Sequence, residues 1–179
     1  MTKLRNLLTV EKRLKALLIL ALMNKAVLLL GSNLGYGQLL FQQVISLIDK
    51  RLGKLEMQST LYQSPPWGFE HENNFLNQVL ILETDLAAGE ILQTCLQIEV
   101  DLGRKRTTQR YGARTIDIDV LFVNDEVMQT ESLVLPHPRL HLRKFTLLPL
   151  VELIPDFVHP TLNKTIQELL VACEDNSEV

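Results

Sequence analysis

Strand-type and helical runs follow one another along this chain in the order β-α-β-β-α-β, and that order leaves few ways to close a core. Ala26–Leu30 is a short apolar run suited to a buried strand, and it ends in the turn-rich segment Gly31-Ser32-Asn33-Leu34-Gly35. Leu39 to Leu52 has helical periodicity and stops at Gly53. Leu55 to Tyr62 alternates as a strand and runs into Ser64-Pro65-Pro66-Trp67-Gly68, a loop that stays polar as far as Asn74. Phe75–Glu83 reads as the next strand, and Ala87–Leu102 as a second helix closed by Gly103. Ile116–Phe122 alternates and is rich in β-branched residues, so it is the fourth strand. A short hairpin is expected around Asn124-Asp125, a loop at Pro136-His137-Pro138, a helix over Phe145–Leu153 despite Pro149, and a last helix over Ile166–Ala172. The expected class is α+β: a ferredoxin-like sandwich, an antiparallel sheet with helices packed against one face. That architecture serves many functions, so the loops must carry the argument about chemistry.

At 179 residues the chain suits one domain with a core that needs no staples. Residues 23–173 are expected to form it, with 1–22 as an N-terminal extension and 174–179 as a frayed acidic tail. Lys3, Arg5, Lys12, Arg13 and Lys15 precede an apolar run, Ala16 to Met23, that superficially resembles a secretory signal. The run is too short to span a bilayer, and Leu22 and Met23 stand where a cleavage site needs small residues. Two readings remain: Met23 is the natural start, or residues 1–22 are an appended helix. Leu4, Leu7, Leu8, Leu14, Leu17 and Leu18 have helical spacing, so such a helix would dock on the domain or mediate self-association of an otherwise monomeric protein. A net charge of −3 argues against a general nucleic-acid binder. Cys95 and Cys173 lie far apart in apolar contexts, as expected of free thiols in a reducing, cytoplasmic setting with no membrane partner.

The fourth strand carries the chemistry. Strand side chains repeat every second residue, so Asp117 and Asp119 project from one face. Close carboxylates repel unless a cation lies between them, and without His or Cys beside them the donors are all oxygen, which suits Mg²⁺ better than zinc. For an isolated pair the commoner case is an edge strand with two solvated acids. Here Arg104, Lys105, Arg106, Arg110 and Arg114 stand just upstream with no acid among them, as a polyphosphate on that metal would need. A nucleotide–magnesium site is the better reading.

Other signals are weaker alone. The glycines of Gly31–Gly37 lack a phosphate-loop ending and suit a tight turn. Phe75 and Asn77 share a sheet face, which suits a flat heterocycle stacked on the ring and paired with the amide, although a strand Phe is usually core. His137, between two prolines and followed by Arg139 and Arg143, fits a phosphate donor, whereas a lone histidine is more often structural. His71, His141 and His159 have no ligand-spaced partner and are expected to be structural. Trp67 is either a loop plug or a wall over a pocket. Phe145 cannot be placed from spacing.

Taken together these segments resemble the 6-hydroxymethyl-7,8-dihydropterin pyrophosphokinase family. The resemblance runs from Leu30-Gly-Ser-Asn-Leu-Gly35 through Tyr62-Gln-Ser-Pro-Pro-Trp-Gly68, Phe75-Leu-Asn77, Ile98-Glu99 and Leu102-Gly-Arg104. It continues with Arg110-Tyr-Gly-Ala-Arg-Thr-Ile-Asp-Ile-Asp119, Leu135-Pro-His-Pro-Arg139, His141-Leu-Arg-Lys-Phe145 and His159-Pro160. It implies transfer of diphosphate from ATP to the pterin hydroxymethyl oxygen, with release of AMP, in folate biosynthesis. By the same resemblance, Asp117 and Asp119 would hold two Mg²⁺ ions. Arg106, Arg110, Tyr111, Arg114, Val120, His137 and Arg143 would meet ATP, and Arg104 and Arg114 would stabilise the transition state. Ser64, Pro65, Trp67, Phe75, Asn77 and Phe145 would form the pterin pocket. Against the family pattern, Ala113 replaces a common proline, Tyr111 a frequent tryptophan, and Leu96 a glutamine on the adenine side, with Gln97 one step on. The competing class is a ferredoxin-like RNA-binding module stacking bases on Phe75; the negative net charge and the acidic pair on the sheet count against it.

Overall fold

The computed structural model describes residues 23–34, 37–68, 72–104 and 115–179. Its sheet consists of β1 (Asn24–Ser32), β2 (Lys54–Gln58), β3 (Tyr62–Ser64), β4 (Phe75–Thr84) and β5 (Asp117–Val123). The order across the sheet is β2-β4-β1-β5, with β3 also on β4, and every pairing is antiparallel. Two long helices, α1 (Gly37–Arg51) and α2 (Ala88–Asp101), follow β1 and β4 as the periodicity predicts.

Strand alternation divides the core in two. Ala26, Leu28, Leu30, Leu80, Leu82, Ile118 and Val120 face α1 and α2, which bury Phe41, Val44 and Ile48, and Ile91, Cys95 and Ile98. The intervening residues Val27, Leu29, Val79 and Ile81 are equally apolar, so the opposite face needs a cover of its own. The C-terminal segment supplies it through α3 (Lys144–Leu153) and α4 (Ile166–Val171), which bury Leu147, Leu150, Ile166 and Leu169 there. Helices therefore lie on both faces, not on one as the element order had suggested. The unbroken apolar run of β1 is the reason.

Two local features differ from the sequence reading. The run Leu55–Tyr62 breaks at Ser59, where the N–H of Ser59 bonds the Val79 carbonyl and its hydroxyl takes the Val79 N–H. The hairpin expected at Asn124-Asp125 instead pairs β6 (Met128–Gln129) with β7 (Val134–Leu135). Asn124, at φ 48°, turns the chain out of β5 and ties it to β1, its Oδ1 accepting the Lys25 N–H and its Nδ2 donating to Asn24 Oδ1. At the end of β5 a register shift against β1 sends both Leu121 and Phe122 to the α3–α4 side, where Phe122 meets Phe157 edge-on at 4.9 Å. His159 packs on the same ring at 5.6 Å and is buried, in keeping with the structural role expected of it. Cys95 and Cys173 are free thiols, and burial pushes the Cys95 thiol pKa up. No helix among the described residues is long and apolar enough to cross a membrane.

Candidate active site

Three strands meet at one row of the sheet. The β1–β4 register sets Gly31 opposite Asn77, and the β1–β5 register sets the same Gly31 opposite Asp117. With no side chain on the middle strand, the amide of Asn77 and the carboxylate of Asp117 border an open floor. A methyl group at Gly31 would stand 3.8 Å from Asn77 Oδ1 and 3.9 Å from Asp117 Cβ. Phe75 is two residues before Asn77 and Asp119 two after Asp117, so both point to the same side.

Above this row lies a pocket of about 230 Å³. Of the residues singled out from sequence, Ser64, Pro65, Trp67, Phe75, Asn77, Asp117, Asp119, His137, Arg143 and Phe145 all line it. Trp67 is thus a wall of the pocket and not a plug elsewhere. Val120 does not line it: alternation turns its side chain to the α1–α2 core, where it is 4% exposed. Arg106, Arg110, Tyr111 and Arg114 fall outside the described residues, as do His71, Ala113 and residues 1–22. Leu29, Gly31 and Arg139 also line the pocket and were not assigned there from sequence. For Gly31 the available signal was a glycine at the end of a strand, a mark of close approach.

Part of the pocket wall is aromatic and amide. Asn77, 2% exposed, donates through Nδ2 to Ser64 Oγ at 2.9 Å, which fixes the orientation of its carboxamide. The guanidinium of Arg143 lies 4.7 Å from the centroid of Trp67 and 5.7 Å from that of Phe145, near enough for cation–π attraction to both. Arg104 does not itself line the pocket but pairs with one of the acids that do. Its guanidinium bonds Asp117 Oδ1 at 2.5 Å and also pairs with Glu99, a carboxylate 2% exposed that accepts the N–H of Ile118 at 2.8 Å. One cation thus bridges a buried acid of α2 and the first acid of the pair. Gln97 is exposed and donates to Asp101 on its own helix, so it makes no contribution to this pocket.

His137 is held neutral. Burial, and then the charges of Arg143 and Arg139, push its pKa down to about 4. Its Nδ1 accepts the N–H of Arg139 at 3.3 Å, which leaves the ring proton on Nε2 as a donor for an anion. Because an unfolded histidine protonates near 6.5, the unfolded state binds the extra proton first as the pH falls. The contribution of this ring to stability is therefore complete above about 6.5 and is lost progressively towards about 4, by ~3 kcal/mol at most. His137→Gln, which cannot charge, should flatten that part of the pH–stability curve. Urea unfolding at pH 7, 5.5 and 4.5 checks this; parallel curves for the two proteins would contradict it.

Comparison with known proteins gives a consistent result. Residues 27–155 match the model of the 7,8-dihydro-6-hydroxymethylpterin-pyrophosphokinase family. The chain is 40% identical over 139 residues to the 2-amino-4-hydroxy-6-hydroxymethyldihydropteridine pyrophosphokinase of Aquifex aeolicus, covering 78% of this chain and 86% of that one. To the protein of the same name from Bacillus subtilis it is 38% identical over 131 residues, covering 73% and 78%. Its fold is similar to that of Plasmodium falciparum HPPK-DHPS solved with pteroate, with a TM-score of 0.69 at 20% identity over 84% of this chain. This chain covers 42% of that larger protein.

Proposed function

The chain belongs to the 7,8-dihydro-6-hydroxymethylpterin pyrophosphokinase family of folate biosynthesis, and from that premise we propose how its pocket does the work. The reaction is transfer of diphosphate from ATP to the hydroxymethyl oxygen of 6-hydroxymethyl-7,8-dihydropterin, releasing AMP. The observation that carries the reading is one pocket lined both by Asn77, Phe75 and Phe145 and by Asp117, Asp119 and His137, with Asn77 and the acids on strands either side of the Gly31 floor. A flat heterocycle stacks between rings and pairs its edge with an oriented amide. Asn77 and the aromatic pair would hold the pterin, with Ser64, Pro65 and Trp67 closing its side. His137 and Arg143 would meet the phosphates, and Arg106, Arg110, Tyr111 and Arg114 would enclose the nucleotide.

The acid pair suits Mg²⁺. Among the described residues no cluster of three or more His, Cys, Asp or Glu could hold a metal, so the strand pair would leave most coordination positions to phosphate oxygens and water. Mg²⁺ accepts such a shell readily, whereas a structural zinc site needs four protein ligands. Two ions held by Asp117 and Asp119 would supply charge neutralisation of the triphosphate and in-line alignment of the attacking and leaving oxygens. Arg104, poised on Asp117, and Arg114 would stabilise the charge that develops on the transferred group. Val120 would take part only through its backbone.

The finer fold reading is ferredoxin-like: the order β2-β4-β1-β5 with α1 and α2 on one face supports it. We assign catalysis to residues 23–173 in a monomer. Deleting residues 1–22 should then leave turnover within about twofold of the full chain, a change worth under ~0.5 kcal/mol. A folded protein starting at Met23 that is inactive would show that the extension completes the site. The function itself is tested by incubating the protein with ATP and the pterin, with and without Mg²⁺, and separating the nucleotides. AMP should appear one-for-one with pterin diphosphate and only with Mg²⁺. Stoichiometric ADP would sink the assignment.

A further inference from the structure

Helix α3 presents the pocket with Phe145 in its first turn and Arg143 just before it, yet it begins without a cap of its own. Arg143 is its N-cap residue, with an extended backbone and no side-chain cap bond, and the first turn contains no acid. Lys144 even sets a positive charge at the positive end of the helix dipole. The carbonyl of Arg143 receives the N–H groups of Thr146 and Leu147, but the N–H of Lys144 points elsewhere. It donates to Asp175 Oδ2 at 3.0 Å, from a residue beyond the end of α4. The other oxygen of that carboxylate accepts the N–H of Ser177 at 3.0 Å, and Lys144 Nζ donates to the Ser177 carbonyl at 2.9 Å. Burial of Asp175 would raise its pKa, but the bonds from Lys144 and Ser177 outweigh burial and hold it below the usual carboxylate range.

Residues 174–179 form neither helix nor strand, as the sequence suggests, yet they are tied in place at Lys144. That residue stands between two pocket-lining side chains. We propose that Asp175 is a positioning residue: the C-terminal tail supplies the missing cap of α3 and so sets the placement of Arg143 and Phe145 in the pocket. This rests on the reading of that pocket as the pterin site. A tail with exposed Glu174, Asn176 and Glu178 buries little, so its anchor bears on the start of α3 far more than on the core.

The test compares Asp175→Ala, Asp175→Asn, a chain ending at Glu174, and Glu178→Ala as a tail control. Trp67, the single tryptophan of the chain, reports directly because it packs against Arg143. Asp175→Ala and the truncation should raise the KM for the pterin, through Phe145, and for ATP, through Arg143, roughly three- to tenfold, as loss of one hydrogen bond would, with kcat within about twofold. Both should shift Trp67 emission in the ligand-free protein. Asp175→Asn keeps an acceptor and should recover most of the KM, while Glu178→Ala should match the unaltered chain. Native KM and emission in folded Asp175→Ala would overturn the proposal. So would equal losses in Glu178→Ala, or unfolding of both Asp175→Ala and the truncation, which would make the tail a support of the whole fold. Failure of the unaltered chain to bind the pterin would strike the functional reading instead, and the Trp67 shift would still decide the role of Asp175.

Discussion

Asp117→Asn and Asp119→Asn should each slow diphosphate transfer by roughly a hundredfold or more, equivalent to ~2.7 kcal/mol of lost transition-state stabilisation. Asparagine keeps the size and one acceptor oxygen but removes the charge that a hard divalent ion requires. If the two acids merely decorated a sheet face, either change would alter stability by about half a kcal/mol or less and leave turnover alone. Both side chains instead face the pocket, beside the glycine floor at Gly31. The two variants should differ in one respect. Asp117→Asn also loosens Arg104, which is shared with Glu99, whereas Asp119→Asn leaves that pair intact. The fold should survive both changes, because Glu99 still neutralises Arg104 and the acid pair no longer repels itself. Turnover and Mg²⁺ titration of the folded variants are the measurements. Near-normal rates for both at saturating ATP and ordinary Mg²⁺ would rule out the two-metal assignment.

Asn77→Leu should act on the pterin side of the pocket. The residue is almost fully buried and its amide donates to Ser64, so leucine of similar size would leave the Ser64 hydroxyl and the pterin edge without their partner. Sites built to hydrogen-bond a ligand discriminate strongly because an unmet polar group costs ~1–3 kcal/mol for each one left behind. The Ser64 group is left unmet in the free protein too and so lowers stability, whereas the pterin edge is unmet only in the complex. Pterin affinity should therefore fall by roughly five- to a hundredfold, while the affinity for ATP in the absence of pterin changes by less than about threefold. Calorimetric titration with each substrate separates the two effects. Equal losses for both substrates would mean that the change had damaged the pocket as a whole. Unaltered pterin binding would remove Asn77 from the proposed recognition.

Several of these residues could be found from the sequence because their relation is local. Asp117 with Asp119, and Phe75 with Asn77, are neighbours on one strand face by the pleat alone, whatever the rest of the chain does. His137 was marked by its prolines and following arginines. Phe145 could not be placed in this way: it lies in the first turn of a helix whose position over the sheet depends on the return of the C-terminal segment. Arg139 entered the sequence argument only as support for His137, since its own place in the pocket follows from the path of the chain and not from any spacing. Val120 shows the converse limit, for its side chain. A strand neighbour of a site residue lies on the opposite face, and here that face is core.

The sequence by itself determined which segments are strands and helices and which side chains share a face, because backbone geometry imposes periods of two and 3.6 within each element. It also determined the chemistry on offer: a carboxylate pair, a cluster of arginines, an amide beside an aromatic ring. Only the tertiary structure decided what those groups face. Strand register brought Asn77, Gly31 and Asp117, from three strands, into one row. Packing of both sheet faces drew α3 over the pocket, and Asp175 reached its first turn from the far end of the chain. Such meetings depend on register and on burial of apolar surface between elements, and no spacing within one element encodes them.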